Sequence, residues 1–163
     1  MIVVTDTSVI LNLCLIGQEE LLPVLFGTIV APNAVVFEFE RLATADRRFQ
    51  NLVFPSFIER SEPGQILPSL TVMKRLQAGE IAALSLAVQR KADAVLMDEL
   101  AGRAAAVALE LKPIGLLGIL LEAKERSLIS ALTPLLDRLE DEAEFWISAS
   151  LRNAILNAAG EAP

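Results

Sequence analysis

Residues 2–4 are uninterruptedly apolar and β-branched, and the run stops at Thr5-Asp6. That pattern predicts a strand buried on both faces that delivers an acid at its carboxyl end. Residues 28–31 and 94–97 repeat the pattern, and each leads into helical periodicity. Thr7-Ser8 are expected to cap the helix after the first strand. Pro32-Asn33 are expected to start the helix after the second, because proline needs no amide hydrogen in a first turn.

Further along, residues 54–59 are predicted as a strand, 77–91 as an Ala/Leu-rich helix, and 111–115 as one more short strand. Helices near 117–126, 133–142 and 150–157 make the last third mostly helical. Pro63-Gly64 and Pro68 mark a loop, and residues 160–163 are expected to fray. Strands alternating with helices imply an α/β fold with a central, mainly parallel sheet flanked by helices. No repeat or long linker divides the chain, so residues 1–163 are expected to form one domain with a helical C-terminal extension over 127–159.

Composition narrows the chemistry. With 163 residues, 53% of them hydrophobic, the chain can bury one substantial core. Its longest apolar stretches, such as 81–88 and 114–121, fall short of the ~20 residues a membrane span needs. The first residues lack the basic region and cleavage site of a secretory signal, so a cytoplasmic protein is expected. A lone Cys14 and no histidine exclude a Cys/His zinc site and a histidine-based triad, leaving carboxylates to carry any chemistry. The net charge of −7 means that nucleic acid could be bound only through a local basic patch or through metal ions.

Four acids are the candidates. Ligands of an open parallel sheet gather at the carboxyl ends of its strands, where Asp6 and Asp98 are expected. Glu38 lies in the helix after the second strand, and Glu80 opens the Ala-rich helix; both can reach the same cleft. Each has a plainer explanation. Glu80 could simply complement its helix dipole, worth ~0.3–1 kcal/mol; Glu38 could be a solvated helix residue, and Asp98 a cap for Glu99 onward. Asp6 is the least easily explained that way. Grouped at one sheet edge, the four would repel strongly unless cations intervened, and hard oxygen donors suit Mg²⁺ or Mn²⁺.

The segments Val4-Thr5-Asp6-Thr7-Ser8, Ala31 through Glu38, Ala78-Gly79-Glu80-Ile81-Ala82-Ala83 and Leu96 through Arg103 follow one another in an order and spacing that resemble the PIN-domain family. The likeness is to its branch of nucleic-acid-binding proteins of formerly unknown function, and it covers nearly the whole chain. It implies a Rossmann-like sheet whose central acids, here Asp6, Glu38, Glu80 and Asp98, bind one or two divalent ions for phosphodiester hydrolysis. Glu40 competes with Glu38, although residues two apart on a helix point in different directions. Leu116 departs from the branch, which commonly carries a small hydroxyl residue there.

The expected function is therefore a divalent-metal-dependent nuclease, an endoribonuclease acting on RNA or single-stranded nucleic acid. Kinship with VapC-type toxin ribonucleases further implies a partner antitoxin and a homodimer. Ser8 could orient Asp6 or a phosphate, with a simple cap as its other role. Arg103 could contact phosphate or pair with Glu99. Arg41, Arg47 and Arg48, then Lys124 and Arg126, are the basic candidates for gripping a backbone. The competing expectation is a non-catalytic PIN-fold module that binds nucleic acid or protein. Phosphotransfer on a strand-end aspartate is remote, since a receiver domain would show adjacent acids after the first strand, and a dehalogenase-like enzyme a second aspartate at Ser8.

Overall fold

The computed structural model describes residues 1–162. Five strands form one parallel sheet: β1 (Ile2–Thr5), β2 (Thr28–Ala31), β3 (Glu59–Arg60), β4 (Ala94–Leu96) and β5 (Pro113–Ile114), in the order β3-β2-β1-β4-β5. The helices are α1 (Thr7–Leu15), α2 (Leu21–Phe26), α3 (Asn33–Ala45), α4 (Pro68–Thr71), α5 (Ala78–Arg90), α6 (Leu100–Ala108), α7 (Leu116–Glu125), α8 (Thr133–Glu142) and α9 (Ala149–Ala158). The α/β class with a central parallel sheet is thus as its strand and helix alternation predicts.

The chain leaves β1 toward β2 on one side and later returns to pair β4 on the other, so the strand order reverses at β1. A crevice at the carboxyl ends follows from such a reversal, because the crossovers on the two sides diverge there. Thr5 is in register with Leu96, and the Asp6 N–H donates to the Leu96 carbonyl at 3.0 Å. That bond fixes the end of β1 against the end of β4, just where each strand hands over to an acid.

Val3, Val4, Val95 and Leu96 are fully buried, as strands covered on both faces require. Phe39 of α3 is also fully buried and meets Phe54 edge to face, ring centroids 5.2 Å apart. Truncating Phe39 to alanine would cost roughly 3–5 kcal/mol.

Several boundaries differ from expectation. The strand expected over 54–59 is only Glu59–Arg60; residues 54–58 are a loop, where Phe54 and Ile58 pack inward as irregular chain. Pro68 does not mark a loop but opens the short α4. Thr7 and Ser8 do not cap α1: Asp6 does, accepting the Val9 N–H. Gly160 and Glu161 do not fray: their N–H groups donate to the Asn157 and Leu156 carbonyls, and the Glu161 carboxylate accepts the N–H groups of Leu132 and Thr133 at the start of α8 and pairs with Lys124. Pro163, the last of the tail expected to fray, lies outside the described residues. No helix among the described residues is long and apolar enough to cross a membrane.

Candidate metal and nucleic-acid site

Asp6, Glu38, Glu80 and Asp98 line one cleft of about 680 Å³ at the carboxyl end of the sheet. Each arrives there from a different element. Asp6 follows β1 and Asp98 follows β4 by two residues. Glu38 comes from α3, and Glu80 from the first turn of α5. Glu40 is not part of the cleft; it is exposed, with Arg60 4.0 Å away. Helical geometry separates the two glutamates, as two residues along a helix turn through most of a half-circle.

Asp6 is 3% exposed and held from two sides. Its Oδ1 accepts the Val9 N–H at 3.1 Å, and its Oδ2 accepts the Ser8 hydroxyl at 3.4 Å. Ser8 therefore orients Asp6, and Asn12 in turn donates to the Ser8 carbonyl at 3.0 Å. Burial pushes the Asp6 carboxyl well above the ordinary range; the Val9 N–H pulls it down, while the charges of Asp98 and Glu80 push it further up and the Ser8 hydroxyl lowers it.

Glu80 has the structural role considered for it through one oxygen only. Its Oε1 accepts the Gln77 N–H at 3.0 Å and closes a capping box at the start of α5. Its Oε2 is buried without a hydrogen-bond partner. Burial raises the Glu80 carboxyl; the Gln77 N–H opposes this, and Glu99 and Glu38 add to the rise.

Asp98 does not cap α6, which begins at Leu100 with no side-chain cap. Instead its Oδ1 accepts the Leu116 N–H at the start of α7, 2.9 Å away, while its Oδ2 is buried and unpartnered. Burial raises Asp98, the Leu116 N–H and the Arg103 charge lower it, and Glu99 raises it. Arg103 donates to the Met97 carbonyl at 3.0 Å, so it is fixed beside Asp98 rather than paired with Glu99. Leu116, which departs from the expected hydroxyl residue, is fully buried and serves the site through its backbone N–H.

Three glycines make room for these carboxylates, and a Cβ on Gly115 would stand 2.8 Å from Asp98 Oδ1. A Cβ on Gly79 would stand 2.9 Å from Glu38 Oε2, and one on Gly102 would stand 2.8 Å from Glu80 Oε2 and press on Met97 Sδ. A larger residue at any of them would press on a carboxylate oxygen.

The donor set suits a hard cation: carboxylate oxygens, two of them buried without hydrogen bonds, among mutually repelling charges. As the side chains stand, no group of three or more acidic or cysteine residues among the described residues is placed to hold a metal ion. Cys14 does not line the cleft, and burial, with help from Glu19, pushes its thiol up to about 12.

Of the basic candidates, Arg41 and Arg48 line the cleft and Arg47 does not. Lys124 is committed to Glu161 and the Ser130 carbonyl, and Arg126 to Glu122. Sequence reasoning missed Arg75, Glu99 and Trp146 on the cleft lining. Only Glu99, adjacent to Asp98, carried a local signal; the other two reach the cleft through chain folding.

A family model described as PIN domain matches residues 2–161. No curated protein matches the chain, and no solved structure matches it.

Proposed function

Since the chain belongs to the PIN-domain family, whose fold is of a nuclease type, we propose that it is a divalent-metal-dependent endoribonuclease with Asp6, Glu80 and Asp98 as its principal ligands and Glu38 completing the site. The observation that carries this reading is the meeting of the four acids in one cleft at the β1–β4 edge, with Glu80 Oε2 and Asp98 Oδ2 buried and unpartnered. A buried acceptor left without a donor costs free energy unless a ligand satisfies it.

Mg²⁺ or Mn²⁺ bound there would neutralise charge on the scissile phosphate and acidify an attacking water. The chain's own residues set the stage. Val9 N–H and the Ser8 hydroxyl fix the Asp6 carboxylate, and Leu116 N–H fixes Asp98, so two donors are oriented before any ligand arrives. Arg103, held by the Met97 carbonyl, supplies positive charge beside Asp98. Arg41 and Arg75 are exposed on the cleft lining and form no ion pair among the described residues, which leaves them to attract the RNA backbone.

A second reading rests on the absence of any three acids placed to hold an ion among the described residues: a PIN-fold module that binds nucleic acid or protein without catalysis. One experiment separates the two. Labelled RNAs and single-stranded DNAs are incubated with Mn²⁺, Mg²⁺ or EDTA, using the natural chain beside Asp6→Asn. Cleavage that needs both the metal and Asp6 supports the nuclease; inactivity together with no calorimetric Mn²⁺ binding supports the module.

The proposal extends to the assembly expected of VapC-type relatives. Leu100 and Val107, seven residues apart on α6, are 85% and 63% exposed and support a homodimer face. Light scattering of Leu100→Glu against the natural chain tests it. A partner antitoxin would be sought by expressing the chain with its neighbouring gene and testing for relief of growth arrest.

A further inference from the structure

Trp146 is 83% exposed, and it lines the same cleft as the four acids. An indole in water forgoes the burial that aromatic side chains normally gain, so its position is not explained by core packing. Nor is it a loose end. Residues 144–148 are irregular chain between α8 and α9, and burial along this segment alternates: Ala143 and Ile147 are buried and Phe145 is half-buried, whereas Glu144 and Trp146 face outward. The inward residues hold the backbone to the core and leave Trp146 on its outward side.

Arg48 secures the same segment from outside it. Its Nη1 donates to the Ala143 carbonyl at 3.1 Å and lies 3.7 Å from Glu144, and the Phe145 N–H donates to the Leu139 carbonyl at 2.9 Å. The cleft therefore carries an exposed aromatic face together with the buried Asp6 and Glu80 and the exposed Arg41 and Arg75 on its lining.

We infer that Trp146 is a stacking platform for an unpaired base of the bound strand, positioning the adjoining phosphate over the acids. The inference rests on the reading of the cleft as a nucleic-acid site. Base-on-aromatic stacking tolerates any base, because every base offers a flat π face. Combined with the two arginines it gives a strand a grip that a chain of net charge −7 cannot supply through its overall field.

Trp146 is the sole tryptophan and there is no tyrosine, so intrinsic emission reports on this one side chain. The Asp6→Asn protein with Mg²⁺ is titrated with a short end-labelled single-stranded RNA of mixed sequence, reading anisotropy of the label for binding and tryptophan emission for stacking. The expected result is quenching that saturates with the anisotropy, binding weakened on the order of ten-fold by Trp146→Ala, and most affinity kept by Trp146→Phe. Binding without quenching, or binding indifferent to Trp146→Ala, would overturn the platform and leave the nuclease proposal to its own cleavage assay. No RNA binding at all would also overturn it, as would a blue shift that grows with protein concentration alone, which would place the indole in a contact between copies.

Discussion

Asp98 Oδ1 accepts the backbone N–H of Leu116 at 2.9 Å, so the acid that follows β4 is held by the first residue of α7. The bond spans 18 residues and satisfies one orphan amide of the helix start. It also divides the carboxylate: one oxygen is structural, and Oδ2 is left buried and unpartnered. Glu80 is divided in the same way between Gln77 and an unpartnered Oε2. Each acid is thus anchored by one oxygen and presents the other.

Asp6→Asn is expected to stabilise the metal-free protein at neutral pH. Burial raises the Asp6 carboxyl in the folded state, so the folded chain binds that proton more tightly than the unfolded chain. Its ionisation then costs stability as pH rises from the unfolded value of roughly 3.9 through the raised folded one. Asparagine keeps an acceptor for Val9 N–H and removes the charge. Melting in EDTA across pH should show the variant above the natural chain at pH 7, with the gap closing in acid; added Mn²⁺ should raise only the natural chain.

Gly102→Ala should destabilise by roughly 1–3 kcal/mol, because its Cβ would press on Met97 Sδ and Glu80 Oε2. Gly118→Ala is the contrasting change. Its Cβ would meet nothing closer than Ile114 Cγ2 at 3.8 Å, so a helix-propensity gain of roughly 0.5–1 kcal/mol is expected in α7. Urea unfolding of the two variants should give shifts of opposite sign.

Glu161 gives an acid-side dependence. Partial burial pushes its carboxyl up, but the Leu132 N–H, the Thr133 hydroxyl and N–H, and Lys124 together outweigh this and bring it down to about 2. A lowered carboxylate contributes stability above its unfolded value, and that contribution is lost as pH falls through the folded one. Glu161→Gln should cost roughly 1 kcal/mol at pH 7. The difference from the natural chain should shrink steadily below pH 4.5 and be lost as pH falls through about 2, as measured by denaturant melts.

Arg48→Met should loosen the segment that carries Trp146. It removes the hydrogen bond to the Ala143 carbonyl, the pairing with Glu144 and the ion pair with Asp46, all partly exposed, for a local cost of about 1–2 kcal/mol. Amide exchange at Phe145 should quicken several-fold while exchange in β1 and β4 stays unchanged. Uniform acceleration everywhere would mean that Arg48 contributes to global stability instead.

The order of strands and helices was legible in the chain because each central strand is an unbroken apolar run, and such runs report burial on both faces. The helix α8 was placed at its observed ends, Thr133 and Glu142, by periodicity. Residues 54–58 misled for a physical reason: Phe54 and Ile58 are apolar because they cover the core, and periodicity does not distinguish a covering loop from a strand. Asp6 and Asp98 were legible as strand-end acids. What only the tertiary structure decided is which oxygen of each acid is spent on the backbone, since Asp98 finds Leu116 across 18 residues, and that Glu161, Arg48 and Trp146 reach partners or a cleft far along the chain. Local sequence encodes burial and turn preference, whereas these pairings depend on where separate elements dock in space.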